Sequence, residues 1–191
     1  GANGIEVLNS NYQVIKSHDI KLSTILSIVQ DPNDERYVWI GTASSGAIRL
    51  NLADNYSYVL YDSFDGLGFD SRAKPIVFGS QLIFGSSEGL FKFIHEDELM
   101  ADIEDSLKSD PDYYRGMFDI LPFYDSIFDS EILLIEKGKS KTWFPSDHKI
   151  GFYDLETKRF VNKPFWGINY GRVNQFYMED NGVLWIGCAD G

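Results

Sequence analysis

Residues 38–46 read V-W-I-G-T-A-S-S-G, and residues 183–191 read V-L-W-I-G-C-A-D-G, with E-D-N-G immediately before. In each, a tryptophan sits in a short apolar run that ends in glycine. Internal repetition of this kind decides the fold before any single segment is read. Apolar residues follow the second glycine. Gly4 opens G-I-E-V-L, Gly46 opens G-A-I-R-L, and Gly89 opens G-L-F-K-F. The intervals between these glycines are 42 and 43 residues. A degenerate copy, T-W-F-P-S-D-H-K-I-G-F-Y, holds Trp143 in the tryptophan slot and Lys149 in the glycine slot, 42 residues before Gly191. Gly89 to Lys149 spans 60, which implies an insertion of about 18 residues. Y-D-S-F-D (61–65) and Y-D-S-I-F-D (124–129) recur at one phase of the repeat.

Within the best copy the β-branched and aromatic runs predict four strands: a over Thr24–Gln30, b over Tyr37–Thr42, c over Ala47–Asn51 and d over Tyr56–Tyr61. The breaks D-P-N-D, S-S-G and A-D-N supply the turns. Four strands per period of about 40–45 residues predict an all-β chain, a β-propeller of about four blade-equivalents. A β-sandwich of unrelated hairpins shows turn signals without this phase-locked repeat. Residues 1–17 supply only strands c and d, residues 172–188 only a and b, and full units fall near 24–61, 72–124 and 131–165. Two readings fit a single domain over 1–191: the terminal halves pair and close a four-bladed ring, or the chain is a segment of a larger propeller. A mid-blade edge invites association, so a homodimer or the remainder of the same propeller is the expected protein partner.

The insertion, 95–115, lies between strand c (Leu90–Ile94) and strand d (about Met117–Tyr124). Leu99, Ile103 and Leu107 recur every four residues and predict a helix near 96–108, with Asp97 as N-cap and Asp110-Pro111 as the stop. It is expected to cover blade edges or to meet a partner.

Composition bounds the function. With 191 residues, 43% of them hydrophobic, the chain is long enough to bury about 70% of its unfolded surface. The net charge of −12 argues against nucleic acid and against an anionic membrane surface. The one cysteine, Cys188, forms no internal disulfide, and no metal-binding cysteine pattern is present. No run of about 18 apolar residues occurs, so no membrane insertion is expected. The opening G-A-N-G-I-E-V-L has no basic or apolar leader region, so no signal peptide is expected within it.

In E-D-N-G-V-L-W-I-G the residue types have structural uses. Asp180-Asn181-Gly182 predicts a tight a–b hairpin, and Leu184 and Ile186 share one face while Val183 and Trp185 share the other. Gly187 is expected to allow close backbone packing. Trp39, Trp143 and Trp185 are expected to pack blade against blade rather than to stack on a ligand.

The pattern carried by 179–191, by V-W-I-G-T-A-S-S-G-A-I (38–48), by F-D-G-L (64–67) and by L-I-F-G-S-S-E-G-L (82–90) resembles the two-component regulator propeller repeat. The copies are diverged: T-W-F-P-S-D-H-K-I lacks both glycines, and Ile83 replaces tryptophan. The resemblance implies a periplasmic or extracellular sensing module, a glycan-derived ligand, dimerisation, and signalling through domains absent from this sequence. No phosphate loop G-x-x-x-x-G-K-[ST] is present.

Catalysis would need a positioned base. His18 and His148 are expected on d–a and b–c loops, His95 on the opposite face; Asp147 adjoins His148. Surface-loop residues are the simpler reading of all of them, and no catalytic set is assigned. Asp62, Asp65, Asp70, Asp125 and Asp129 fall on d–a loops without a calcium-loop pattern, as turn formers; no metal and no cofactor is expected. The aromatic and polar loop Phe165–Arg172 suits a sugar-like ligand. The expected ligand mouth is Arg72, His148, Trp166, Tyr170 and Arg172, where arginine offers bidentate bonds to an acidic group. A protein-interaction scaffold is the alternative function, and a propeller lyase or hydrolase a third.

Overall fold

Trp39 is fully buried, and what surrounds it sets out the architecture. The computed structural model describes residues 4–78, 80–95, 117–121, 136–137, 140–145, 150–162, 165, 171 and 173–189. They form five antiparallel sheets in chain order. Sheet I pairs β1 (Ile5–Leu8) with β2 (Val14–His18). Sheet II is β3 (Ile25–Gln30), β4 (Tyr37–Thr42), β5 (Ala47–Asn51) and β6 (Ser57–Tyr61). Sheet III is β7 (Lys74–Phe78), β8 (Gln81–Ser86), β9 (Gly89–Phe93) and β10 (Phe118–Ile120). Sheet IV is β11 (Glu136–Lys137), β12 (Lys141–Pro145), β13 (Ile150–Asp154) and β14 (Arg159–Asn162). Sheet V pairs β15 (Val173–Met178) with β16 (Leu184–Cys188). Sheets II, III and IV are four-stranded meanders, each strand bonded to its neighbour in sequence.

The predicted b and c strands of sheet II have their observed bounds, and a and d each begin one residue later than expected. Ile25 pairs with Thr42 and Ser27 with Gly41, a bulge in strand a that recurs in sheet V, where Val173 pairs with Cys188 and Gln175 with Gly187. The expected helix near 96–108 lies outside the described residues. Sheets I and V remain separate two-stranded sheets: β1 is not bonded to β16, so these strands do not complete one four-stranded sheet.

The sheets stack serially because sheets II, III and IV each bury apolar side chains on both faces. Ile5 of sheet I meets Ile40 and Ile48 of sheet II. Trp39, Ala47 and Tyr61 on the other face of sheet II meet Phe84, Phe91 and Phe118 of sheet III. Ile83 and Leu90 then meet Phe144 of sheet IV, and Trp143, Ile150 and Phe152 meet Val173 and Phe176 of sheet V. Alternating side chains thus divide between the preceding and the following sheet. Trp39 crosses Phe84 and Phe93 edge-on at 5.0 and 4.8 Å between ring centroids. Trp39 and Trp143 bury as expected, but Trp185 is 61% exposed, because its face of sheet V has no following sheet among the described residues.

Candidate functional site: the loop end around Arg72

The d–a segment between β6 and β7 is the described part of the expected ligand mouth. Its conformation is fixed by short-range hydrogen bonds. Asp62 caps a 3-10 turn over Ser63–Asp65: its carboxylate accepts from the Phe64 amide at 2.8 Å, and the Asp65 carboxylate accepts from the Asp62 amide at 2.9 Å. Gly66 closes the turn at φ 95°, a left-handed conformation suited to glycine. Leu67 follows and is buried between sheets II and III. This gives F-D-G-L its physical meaning: a capped turn, a left-handed stop and an apolar anchor.

The rest of the segment is tied to two b–c turns. The Ser71 carbonyl accepts from the Gly46 amide at 2.7 Å, and the Ala73 amide donates to the Thr42 carbonyl at 3.0 Å. The Thr42 hydroxyl is fully buried and donates to the Gly46 carbonyl at 2.8 Å, closing the b–c turn of sheet II. From sheet III, the Glu88 carboxylate accepts from the Phe69 amide at 2.6 Å. Asp70 accepts from the Arg72 amide at 3.0 Å and so sets the backbone that carries the arginine. Asp62, Asp65 and Asp70 therefore serve as turn acceptors, as their residue type suggests.

Two residues of this platform escaped the sequence reading. Phe64 and Phe69 are 82% and 80% exposed, on the same segment as Arg72. Exposed phenylalanines on a hydrogen-bonded loop offer ring faces to a ligand at little ordering cost. The signal for them was available: both lie in the d–a phase, flanked by turn-forming Asp and Gly. His148, Trp166, Tyr170 and Arg172 lie outside the described residues, as do Asp125, Asp129 and Asp147. Of the expected mouth, the structure places Arg72 alone.

The two described histidines stand elsewhere. His18 ends β2 rather than sitting in a loop, and its ring meets Tyr58 of sheet II edge-on at 5.1 Å. Its Nε2 is buried without a hydrogen-bond partner among the described residues. His95 follows β9 at the opposite end of the sheets, with its ring 5.5 Å from that of Phe93.

This fold is shared with known structures. The chain superposes on the extracellular domain assigned to the hybrid two component system BT3049 of B. thetaiotaomicron, with a TM-score of 0.64 and 16% identity over 97% of this chain. The extracellular domain assigned to the hybrid two component system BT4673 of the same organism gives 0.62 and 14% over 99%. A structure of a BT4673 extracellular domain described as that of a one component system gives 0.56 and 13% over 97%. Identity this low establishes likeness of fold. The chain spans 23%, 24% and 21% of those chains respectively. No family model matches the sequence, and no curated protein does. Among the described residues, no helix is long and apolar enough to cross a membrane.

Proposed function

We propose that this chain is part of an extracytoplasmic sensor β-propeller of a two-component-type regulatory system, and that it binds a small ligand instead of turning one over. The observation that carries the reading is the fold likeness over nearly the whole chain to extracellular domains of such systems. The resemblance of the repeat supports it independently, since that comes from the sequence motif and the fold likeness from backbone geometry. Serial packing of four-stranded meanders is what blades of a propeller require.

The ligand reading is an acidic, glycan-derived molecule at the loop end, held by Arg72 and Arg172 with Trp166, Tyr170 and His148 around it. The exposed rings of Phe64 and Phe69 extend that surface. Arginine forks pair bidentately with a uronate or sulfate, and ring faces receive sugar C–H groups. The signal would pass to domains outside this sequence. Calorimetric titration with a panel of acidic oligosaccharides is the test. Arg72→Ala and Arg172→Ala are each expected to weaken the best ligand at least about tenfold, or about 1.4 kcal/mol. Unchanged affinity in both variants overturns the site.

A further inference from the structure

Strand pairing gives each strand-b tryptophan a neighbour in strand a, and the indole acceptor stands two residues beyond that neighbour. Trp39 pairs with Val29, and Asp31, two residues on, accepts from its Nε1 at 2.9 Å. Trp185 pairs with Tyr177, and Glu179, two residues on, accepts from its Nε1 at 2.6 Å. Sheet III lacks both members of the pair: Ile83 stands in the tryptophan slot opposite Ile76, and Phe78 stands at the acceptor position. Sheet IV keeps the donor without the acceptor. Trp143 pairs with Glu136, so the acceptor position falls on Gly138, which lies outside the described residues and has no side chain to offer.

Trp143 is only 6% exposed, and its Nε1 is buried with no hydrogen-bond partner among the described residues. A buried indole N–H is ordinarily paired, and leaving it unpaired is unfavourable. The rings around it, Phe152, Phe165 and Phe176, have centroids 4.8, 5.8 and 5.6 Å away and carry no acceptor oxygen. The charge at this end of sheet IV is also reversed. The a–b turns of sheets II and V read D-P-N-D-E (31–35) and E-D-N-G (179–182), whereas that of sheet IV reads K-G-K-S-K (137–141). Lys141 is half-buried on the Trp143 face, with Nζ 4.5 Å from the Phe152 centroid and 6.0 Å from that of Trp143. It makes no ion pair among the described residues. Asp154, across the strands, feels the Lys141 charge but directs its Oδ1 at the Glu156 and Thr157 amides. Sheet IV thus offers a buried donor and a cation where sheet II has a carboxylate of its own.

We propose that sheet IV binds a short aliphatic monocarboxylate at its a–b end, the carboxylate accepting from Trp143 Nε1 and balanced by Lys141. The anion stands in for the Asp31 side chain, whose heavy atoms beyond Cα are those of acetate. Asp31 is 5% exposed, so the equivalent place takes an occupant of about that size. This end of the sheets is opposite Arg72, and the site does not rest on the acidic-glycan reading.

The test is NMR of the tryptophan indole N–H groups in the 191-residue chain, titrated with sodium acetate while sodium chloride holds the ionic strength constant. Trp143→Phe identifies the Trp143 resonance by its loss. That resonance is expected to move downfield and saturate with a Kd of about 1–10 mM, the range open to so small an anion. The Trp39 and Trp185 resonances, already bonded to carboxylates, are expected to stay in place. Gly138→Asp, which supplies the carboxylate covalently, is expected to place the Trp143 resonance downfield without acetate and to weaken acetate at least about tenfold. Lys141→Gln is expected to weaken acetate roughly threefold, and it decides the matter if Gly138→Asp does not fold. The proposal is overturned if the Trp143 resonance does not saturate below about 100 mM acetate, or if chloride alone moves it equally. It is also overturned by a folded Gly138→Asp or Lys141→Gln variant with unchanged affinity.

Discussion

A buried indole needs an acceptor for its N–H, and the three described tryptophans differ in whether they have one. Trp39 donates to Asp31 at 2.9 Å, and exposed Trp185 donates to Glu179 at 2.6 Å. Trp143 Nε1 is buried and finds no partner among the described residues. A carboxylate just after strand a, followed by a strand-b tryptophan, is thus a pairing displayed in the sequence itself. Replacing Asp31 by Ala strands a buried donor, with an expected loss of about 1–3 kcal/mol in urea unfolding. At the surface, the Arg36 guanidinium holds the Asp34 carboxyl at a pKa of about 2, against an ordinary 3.8. A depressed carboxylate contributes stability above its unfolded value, and that contribution fades as pH falls from about 4 toward 2. Arg36→Gln is expected to return the Asp34 titration, followed by NMR, toward 3.8. Asp154 is held low as well, chiefly by the Thr157 amide that donates to it in the β13–β14 turn.

At the scale of the strand and turn, glycine separates two kinds of requirement. A Cβ on Gly41 would lie 2.1 Å from Pro75 Cδ and 2.2 Å from the Ala73 carbonyl oxygen, because sheet III packs directly on that strand. A Cβ on Gly182 would meet nothing within 4 Å, although its φ of 90° favours glycine. Gly41→Ala is therefore expected to cost about 2–3 kcal/mol or to prevent folding, and Gly182→Ala only about 1 kcal/mol, both read from thermal or urea unfolding. Gly187 was expected to allow close backbone packing where a side chain would collide; its Cβ would sit at an ordinary 3.5 Å from Gln175. The elements themselves were largely legible: alternating β-branched and aromatic residues bounded by Asn, Asp and Gly placed β4 and β5 to the residue. The bulges in β3 and β15 were not, since nothing in local composition marks where one strand carries an extra residue. At the loop end, repeat phase put Arg72 on the d–a segment, where the structure has it, whereas the exposure of Phe64 and Phe69 depends on which turn residues face inward.

For the whole molecule, serial stacking makes the worth of a motif depend on its position in the stack. Trp39 and Trp185 occupy the same slot of the same sequence pattern, yet one is fully buried and the other 61% exposed. Trp39→Ala is expected to cost about 3–5 kcal/mol, while Trp185→Ala in the 191-residue chain is expected to cost under about 1 kcal/mol in the same unfolding measurement. Equal losses would mean that the outer face of sheet V is covered in solution. The sequence by itself determined the repeat, the four-strand unit, the strand order and the turn chemistry, because hydrophobic period and turn residues are local properties of the chain. Only the tertiary structure decided which faces are covered and that β1 and β16 stay in separate sheets. The physical reason is that burial and cavity volume belong to pairs of sheets, and a strand's own residues do not state what lies about 10 Å away across the packing face.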